Sequence, residues 1–201
     1  MKYKILLLII APLFAFSQLQ EGDLLLETNY GFVGGKGLWA SIADEAGVPV
    51  TLFGPLTLRS QYMTSDKFGL GLDINYSSRK VDGNTGSFQD NNGNNQNFTY
   101  DLKQDVIRLM IRTSWEFINN EKLQMNWANS IGYRSSTWTF NVTDNSSASE
   151  NDLSYDFLSS PLAFRTAIGI RYFITENFGF NFEVVGLSGG AFMNGGLTLK
   201  L

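Results

Sequence analysis

The residues best equipped for chemistry in this 201-residue chain are charged side chains set at alternate positions of apolar segments. They are Glu27, Arg59, Asp73, Arg108, Arg112, Glu116, Arg134, Arg165, Arg171 and Glu183. Arginine presents a rigid planar fork that matches a carboxylate through two parallel hydrogen bonds. If these side chains share one confined interior, two chemistries are open to them. They pair into a network that fills the space, or they line a narrow passage and bias the ions that cross it. An unpaired buried charge is costly, and a buried pair does little better than break even. The space-filling network is therefore the favoured reading. The excess of arginine over acid in the set points to an opening, or to contact with anions.

Other chemistry is excluded by what the chain lacks. It contains no histidine and no cysteine. Ser-His-Asp triads, His-ligated zinc, His general bases, thiolate metal sites and disulfides are thus unavailable. No catalytic constellation, metal set or cofactor motif emerges, and no enzyme activity is expected. Gly34-Gly35-Lys36-Gly37 lacks the spacing of a phosphate loop and reads as a turn. The runs 90–97 and 144–152 offer oxygens but not the spacing of a calcium loop. The Asn-X-Ser/Thr triplets at Asn97, Asn141 and Asn145 are chance matches in Asn-rich loops. The formal charge of −4 argues against a nucleic-acid partner.

The elements that must position these charges alternate strictly. Phe68-Gly69-Leu70-Gly71-Leu72-Asp73-Ile74-Asn75-Tyr76 has one apolar face and one small, polar face, the signature of a strand. The pattern returns in Phe178-Gly179-Phe180-Asn181-Phe182-Glu183-Val184. Both copies follow a polar turn, Ser65-Asp66-Lys67 and Thr175-Glu176-Asn177, and both hold a carboxylate in the same register. Further strands are expected at 24–33, 56–63, 103–117, 123–138, 162–173 and 194–201, with the 68 strand ending near 78. Long connections at 34–55, 79–101 and 141–155 alternate with short turns. The segment 79–101 is polar enough to be mobile or partly disordered, and residues near Ile42 could form a helical turn. The total is eight strands in one closed antiparallel barrel.

Residues 1–17 carry Lys2 and Lys4, then an apolar run from 5 to 16, then small residues at Ala15 and Ser17. This reads as a secretory signal peptide, with residues 18–201 as the barrel domain. The run is too short to cross a bilayer as a helix, which needs about 20 apolar residues. A membrane span would have to be a closed barrel, because open strands cannot satisfy their backbone groups in lipid.

Alternation alone does not say which face points inward. Charged residues make up 17% of the chain and aromatic residues 14%, against roughly 25% charged in soluble domains. The polar face carries Gly, Ala, Ser, Asn and Arg, which suit the narrow interior of an eight-stranded barrel. Tyr30, Phe32, Tyr76 and Tyr133 cluster at one strand end, and Tyr62, Phe68, Trp115, Phe117, Trp127, Tyr172 and Phe178 at the other. Such rings favour membrane interfaces. The apolar face is therefore expected to face lipid.

With its leader, strands such as FGLGLDINY, short Asp/Asn turns and a terminal LTLKL, the chain resembles the small outer-membrane β-barrels of the OmpA/OmpX-like type. These are the variety common in Bacteroidetes and called porin family. The resemblance implies an outer-membrane location and an eight-stranded barrel, and carries over no functional residue. The expected partners are outer-membrane lipid and, through loops 34–55, 79–101 and 141–155, envelope sugars or proteins, with the barrel as a monomer. A narrow porin-like channel and a soluble periplasmic ligand-binding barrel are the alternatives.

Overall fold

The computed structural model describes residues 18–33, 50–89, 93, 95–144, 153–155, 161–187 and 191–201. The strands are β1 (Leu24–Val33), β2 (Val50–Ser65), β3 (Phe68–Gln89), β4 (Asn95–Asn119), β5 (Leu123–Asp144), β6 (Leu153–Tyr155), β7 (Leu162–Phe173), β8 (Phe178–Leu187) and β9 (Met193–Lys200). All pairings among them are antiparallel. Each strand pairs with the next in sequence, except that β5 pairs with β7 and β6 hangs as a three-residue ribbon on the outer end of β5. The pairing of β1 with β9 closes the sheet into an eight-stranded up-and-down barrel. At the seam Leu24 and Leu201 exchange amide-to-carbonyl hydrogen bonds of 3.1 and 2.8 Å. Closure removes the unpaired edges that an open sheet would carry.

The short turns close with their own side chains. The Ser65 hydroxyl accepts from the Phe68 amide at 3.1 Å, and the Thr175 hydroxyl accepts from the Phe178 amide at 3.1 Å. The two repeated sequence patterns thus begin with the same hydroxyl-closed turn.

The apolar face is outside. Leu70, Leu72, Ile74, Ile107, Leu109, Ile111, Ile131, Ile168 and Phe180 are all about half exposed, while Asp73, Asn75, Arg112 and Ser114 are buried in the lumen. The band from Ile107 to Phe117 covers eleven residues of β4, ten steps along the strand. That is about 33 Å along a strand, or about 25 Å along the barrel axis at a strand tilt of about 40°, which matches the height of the apolar band of a transmembrane barrel. Aromatic rings edge it. Tyr30, Phe53 and Tyr76 touch in series at the loop end, with centroids 6.1 Å apart at each step. Trp115 and Phe117 stand 6.4 Å apart at the turn end.

Three expectations are corrected. The segment 79–101 is not irregular over most of its length. β3 and β4 continue past the belt as one hairpin, paired from Asn84↔Tyr100 to Gln89↔Asn95. Residues 141–144 likewise extend β5 opposite β4. β2 begins at Val50 rather than near Leu56. In each case the segment forms strand because its backbone is paired by a neighbour, and in the polar extensions of β3, β4 and β5 no apolar alternation marks it. The leader, the Gly34–Gly37 turn, the region near Ile42 and most of the two Asn-rich loop tips lie outside the described residues.

Candidate functional site

Strand alternation turns Glu27, Arg59 and Asp73 inward on three adjacent strands, and cross-strand register sets them side by side: Glu27↔Arg59 and Arg59↔Asp73. β4, the next strand beyond β3, contributes Arg112 and Glu116; β8, beyond β9 on the other side, contributes Glu183; and β7, across the lumen, contributes Arg165 and Arg171. These eight side chains form one continuous ion-pair network of four arginines and four carboxylates.

Glu183 is its hub. It accepts from Arg59 at 3.0 Å, Arg112 at 2.8 Å and Arg165 at 2.6 Å. Arg165 uses both ends of its fork, with Nη1 on Asp73 at 2.9 Å and Nη2 on Glu183. The carboxylates of the two repeated strand patterns are therefore clamped by one guanidinium. Arg171 bridges Glu27 at 2.6 Å and Glu116 at 2.9 Å, while Arg59 also donates to Glu27. Neutral side chains complete the shell. Gln61 and Ser114 donate to Glu116, and Thr198 donates to Glu27. With its amide oriented to accept, Asn126 meets Arg171 Nη1 at 2.7 Å, and Asn194 so oriented meets Arg165 Nη2 at 2.6 Å. None of the eight charged residues is more than 4% exposed. A sphere the size of water barely touches them, and four positive charges balance four negative ones.

Below the network, toward the short turns, the lumen is apolar. Leu25, Met63 and Phe173 point inward and pack with Leu19 into a buried cluster. Leu19 precedes β1 and is held across the barrel mouth by Asn119, whose side chain accepts from the Leu19 amide at 3.0 Å and donates to its carbonyl at 2.8 Å. Sequence patterning did not single out this plug. Leu25, Met63 and Phe173 break the small-and-polar rule of the inner face, and that departure was the available signal.

Above the network the charge balance ends. Arg108 is buried and donates to the Asn75 side-chain oxygen at 2.8 Å. Arg134 stands opposite it in register on β5 and is partly exposed. Among the described residues neither has an ion pair, so the structure brings eight of the ten charged candidates together and leaves these two apart. Arg79, inward and partly exposed two residues past Ser77 on β3, joins them. The sequence pattern puts residue 79 in a polar loop, which is why alternation does not mark it as an inward charge.

No protein-family model and no curated protein matches the chain. Solved structures do. Ail, the attachment invasion locus protein of Yersinia pestis, aligns at a TM-score of 0.45 and 10% identity over 90% of this chain and 96% of that one. Ail in complex with the heparin analogue sucrose octasulfate aligns at 0.46 and 12% identity, over 90% and 96% of the two chains. The outer membrane protein OprG from Pseudomonas aeruginosa aligns at 0.42 and 14% identity, covering 92% of this chain and 98% of that chain. The barrel assignment itself rests on the closed strand order described above.

Proposed function

We propose that this chain is an outer-membrane β-barrel whose sealed lumen makes it a rigid mount for surface contacts, rather than a pore. The single observation carrying this reading is the near-complete burial of the charge-balanced lumen network. An aqueous channel would have to expose the side chains it passes, and the apolar plug beneath adds a second obstruction. Membrane residence is supported by the broad exposed apolar belt. A contiguous apolar surface of this extent far exceeds the few hundred Å² that soluble monomers tolerate. A soluble ligand-binding barrel would put those residues inside and leave room among them.

The surface role is supported by the extension of β3, β4 and β5 beyond the belt. Loops carried on rigid strands are the usual carriers of recognition. Partners of these extensions would be envelope sugars or proteins, and the secretory leader would supply export.

Two measurements test the proposal together. The protein extracted from membranes should migrate faster on a denaturing gel unboiled than boiled. Reconstituted in a planar bilayer it should give no stable conductance steps. Reproducible steps altered by Arg112→Met would overturn the sealed lumen in favour of a channel.

A further inference from the structure

The lumen network uses up its own charge and, among the described residues, leaves three arginines above it without acids. Arg108 and Arg134 are Cα partners across β4 and β5, and Arg108 is a Cα partner of Asn75 on β3. Arg79 lies four residues beyond Asn75 on the same face of β3. The three guanidiniums are close enough to repel one another, and Arg165 adds to the field on Arg108. No carboxylate among the described residues forms an ion pair with any of them. The outward acid Asp105 is on the other face of β4 and is held by Lys103 at 2.8 Å and by the Tyr76 hydroxyl at 2.8 Å.

The decisive member is Arg108. It is only 7% exposed, its one hydrogen bond goes to a neutral amide oxygen, and its Nε has no partner. The Nε of Arg134 is buried and unpartnered as well. Burying a cation without a counter-charge is costly, and bringing two more cations against it adds to that cost. The arrangement becomes favourable once an anion sits between the forks. Neutral donors and acceptors surround the place: Gln104 donates to the Ser136 hydroxyl at 2.9 Å, and Ser77 lines the same wall.

We propose that Arg79, Arg108 and Arg134 form a receptor for a compact tetrahedral oxyanion, a phosphate or sulfate monoester group, at the surface end of the lumen. Guanidinium forks match such oxygens in pairs, where a lysine would offer only a point charge. The partly exposed Arg79 and Arg134 meet the anion first, and the buried Arg108 forms the floor. The group could arrive on a soluble sugar or on a lipid headgroup, and both present the same oxygens. The site needs only the closed barrel, so it stands or falls apart from the question of conductance.

The test uses the full mature chain refolded in zwitterionic micelles at low salt, titrated with inorganic phosphate while the arginine Nε–H signals are followed by NMR. Saturable shifts of the Arg108 and Arg134 signals are expected at millimolar phosphate or below, with glucose giving none. Arg79→Gln and Arg134→Gln, both partly exposed and both checked for the heat-modifiable band, should each weaken binding at least tenfold. Glucose 6-phosphate and micelles doped with phosphatidic acid then separate the sources, the first arm reporting a soluble sugar ester and the second a headgroup. No saturable shift with phosphate, or shifts unchanged in both folded variants, would overturn the proposal. In that event the three arginines would be charges that the barrel simply tolerates.

Discussion

Glu183 and Arg112 belong to the same buried network but are not equivalent. Glu183 accepts from three guanidiniums, whereas Arg112 makes one hydrogen bond and keeps Nε and Nη1 without partners. Removing the hub leaves three buried cations short of a counter-charge. Removing Arg112 leaves Glu183 held by two others and also removes two unsatisfied donors. Glu183→Gln should therefore lower the stability of the refolded barrel by about 3–5 kcal/mol, in the range for breaking a buried ion pair. Arg112→Met should cost less, about 1.5–3 kcal/mol, the worth of one hydrogen bond to a charged group. Urea unfolding in micelles measures both, and an equal loss for the two variants would count against the hub. The inward register of these side chains was legible because strand parity is a strict rule. Which arginine meets which acid was not. Arg165 and Asp73 are 92 positions apart and meet only across the closed lumen.

At the level of the element, β3 shows why its inner face carries glycine. Gly71 pairs with Gln61, and a Cβ there would press on the Ser60 carbonyl oxygen and lie 2.9 Å from the Gln61 Cα. Those are backbone atoms of the adjoining strand, which cannot move aside as a side-chain tip can. Gly71→Ala should lower the urea midpoint by the equivalent of about 1–3 kcal/mol, the usual cost of overpacking, and an unchanged midpoint would refute the close approach. Strand ends inside the belt were readable to within a few residues, and β1 and β7 fall where alternation put them. The extensions of β3, β4 and β5 were not. Above the belt both faces meet polar surroundings, apolar alternation lapses, and only backbone pairing marks the strand.

For the whole molecule, the apolar belt makes a prediction with a sense of depth. Ile111 stands mid-belt and is 57% exposed. Ile111→Arg should destabilise the barrel in lipid by about 2–4 kcal/mol, falling to about 0–1 kcal/mol for Tyr133→Arg at the loop-end girdle. Equal costs at both depths, measured by unfolding in bilayer vesicles, would mean that the belt does not sit across a bilayer as proposed. The same molecule divides its lumen along the axis into an apolar plug, a neutral ionic middle and a cationic mouth. That order is set by the heights to which closure brings residues from different strands.

The sequence by itself determined the strand parity, the number of staves, the absence of histidine and thiol chemistry, and an inner face rich in charge. These are local properties, carried by neighbours two residues apart. Only the tertiary structure decided that eight of the charges neutralise one another, that Leu19, Leu25, Met63 and Phe173 close one end, and that Arg79, Arg108 and Arg134 stand together at the other. Each of those outcomes depends on shear and closure, which align residues tens of positions apart at one height and which no pattern of period two encodes.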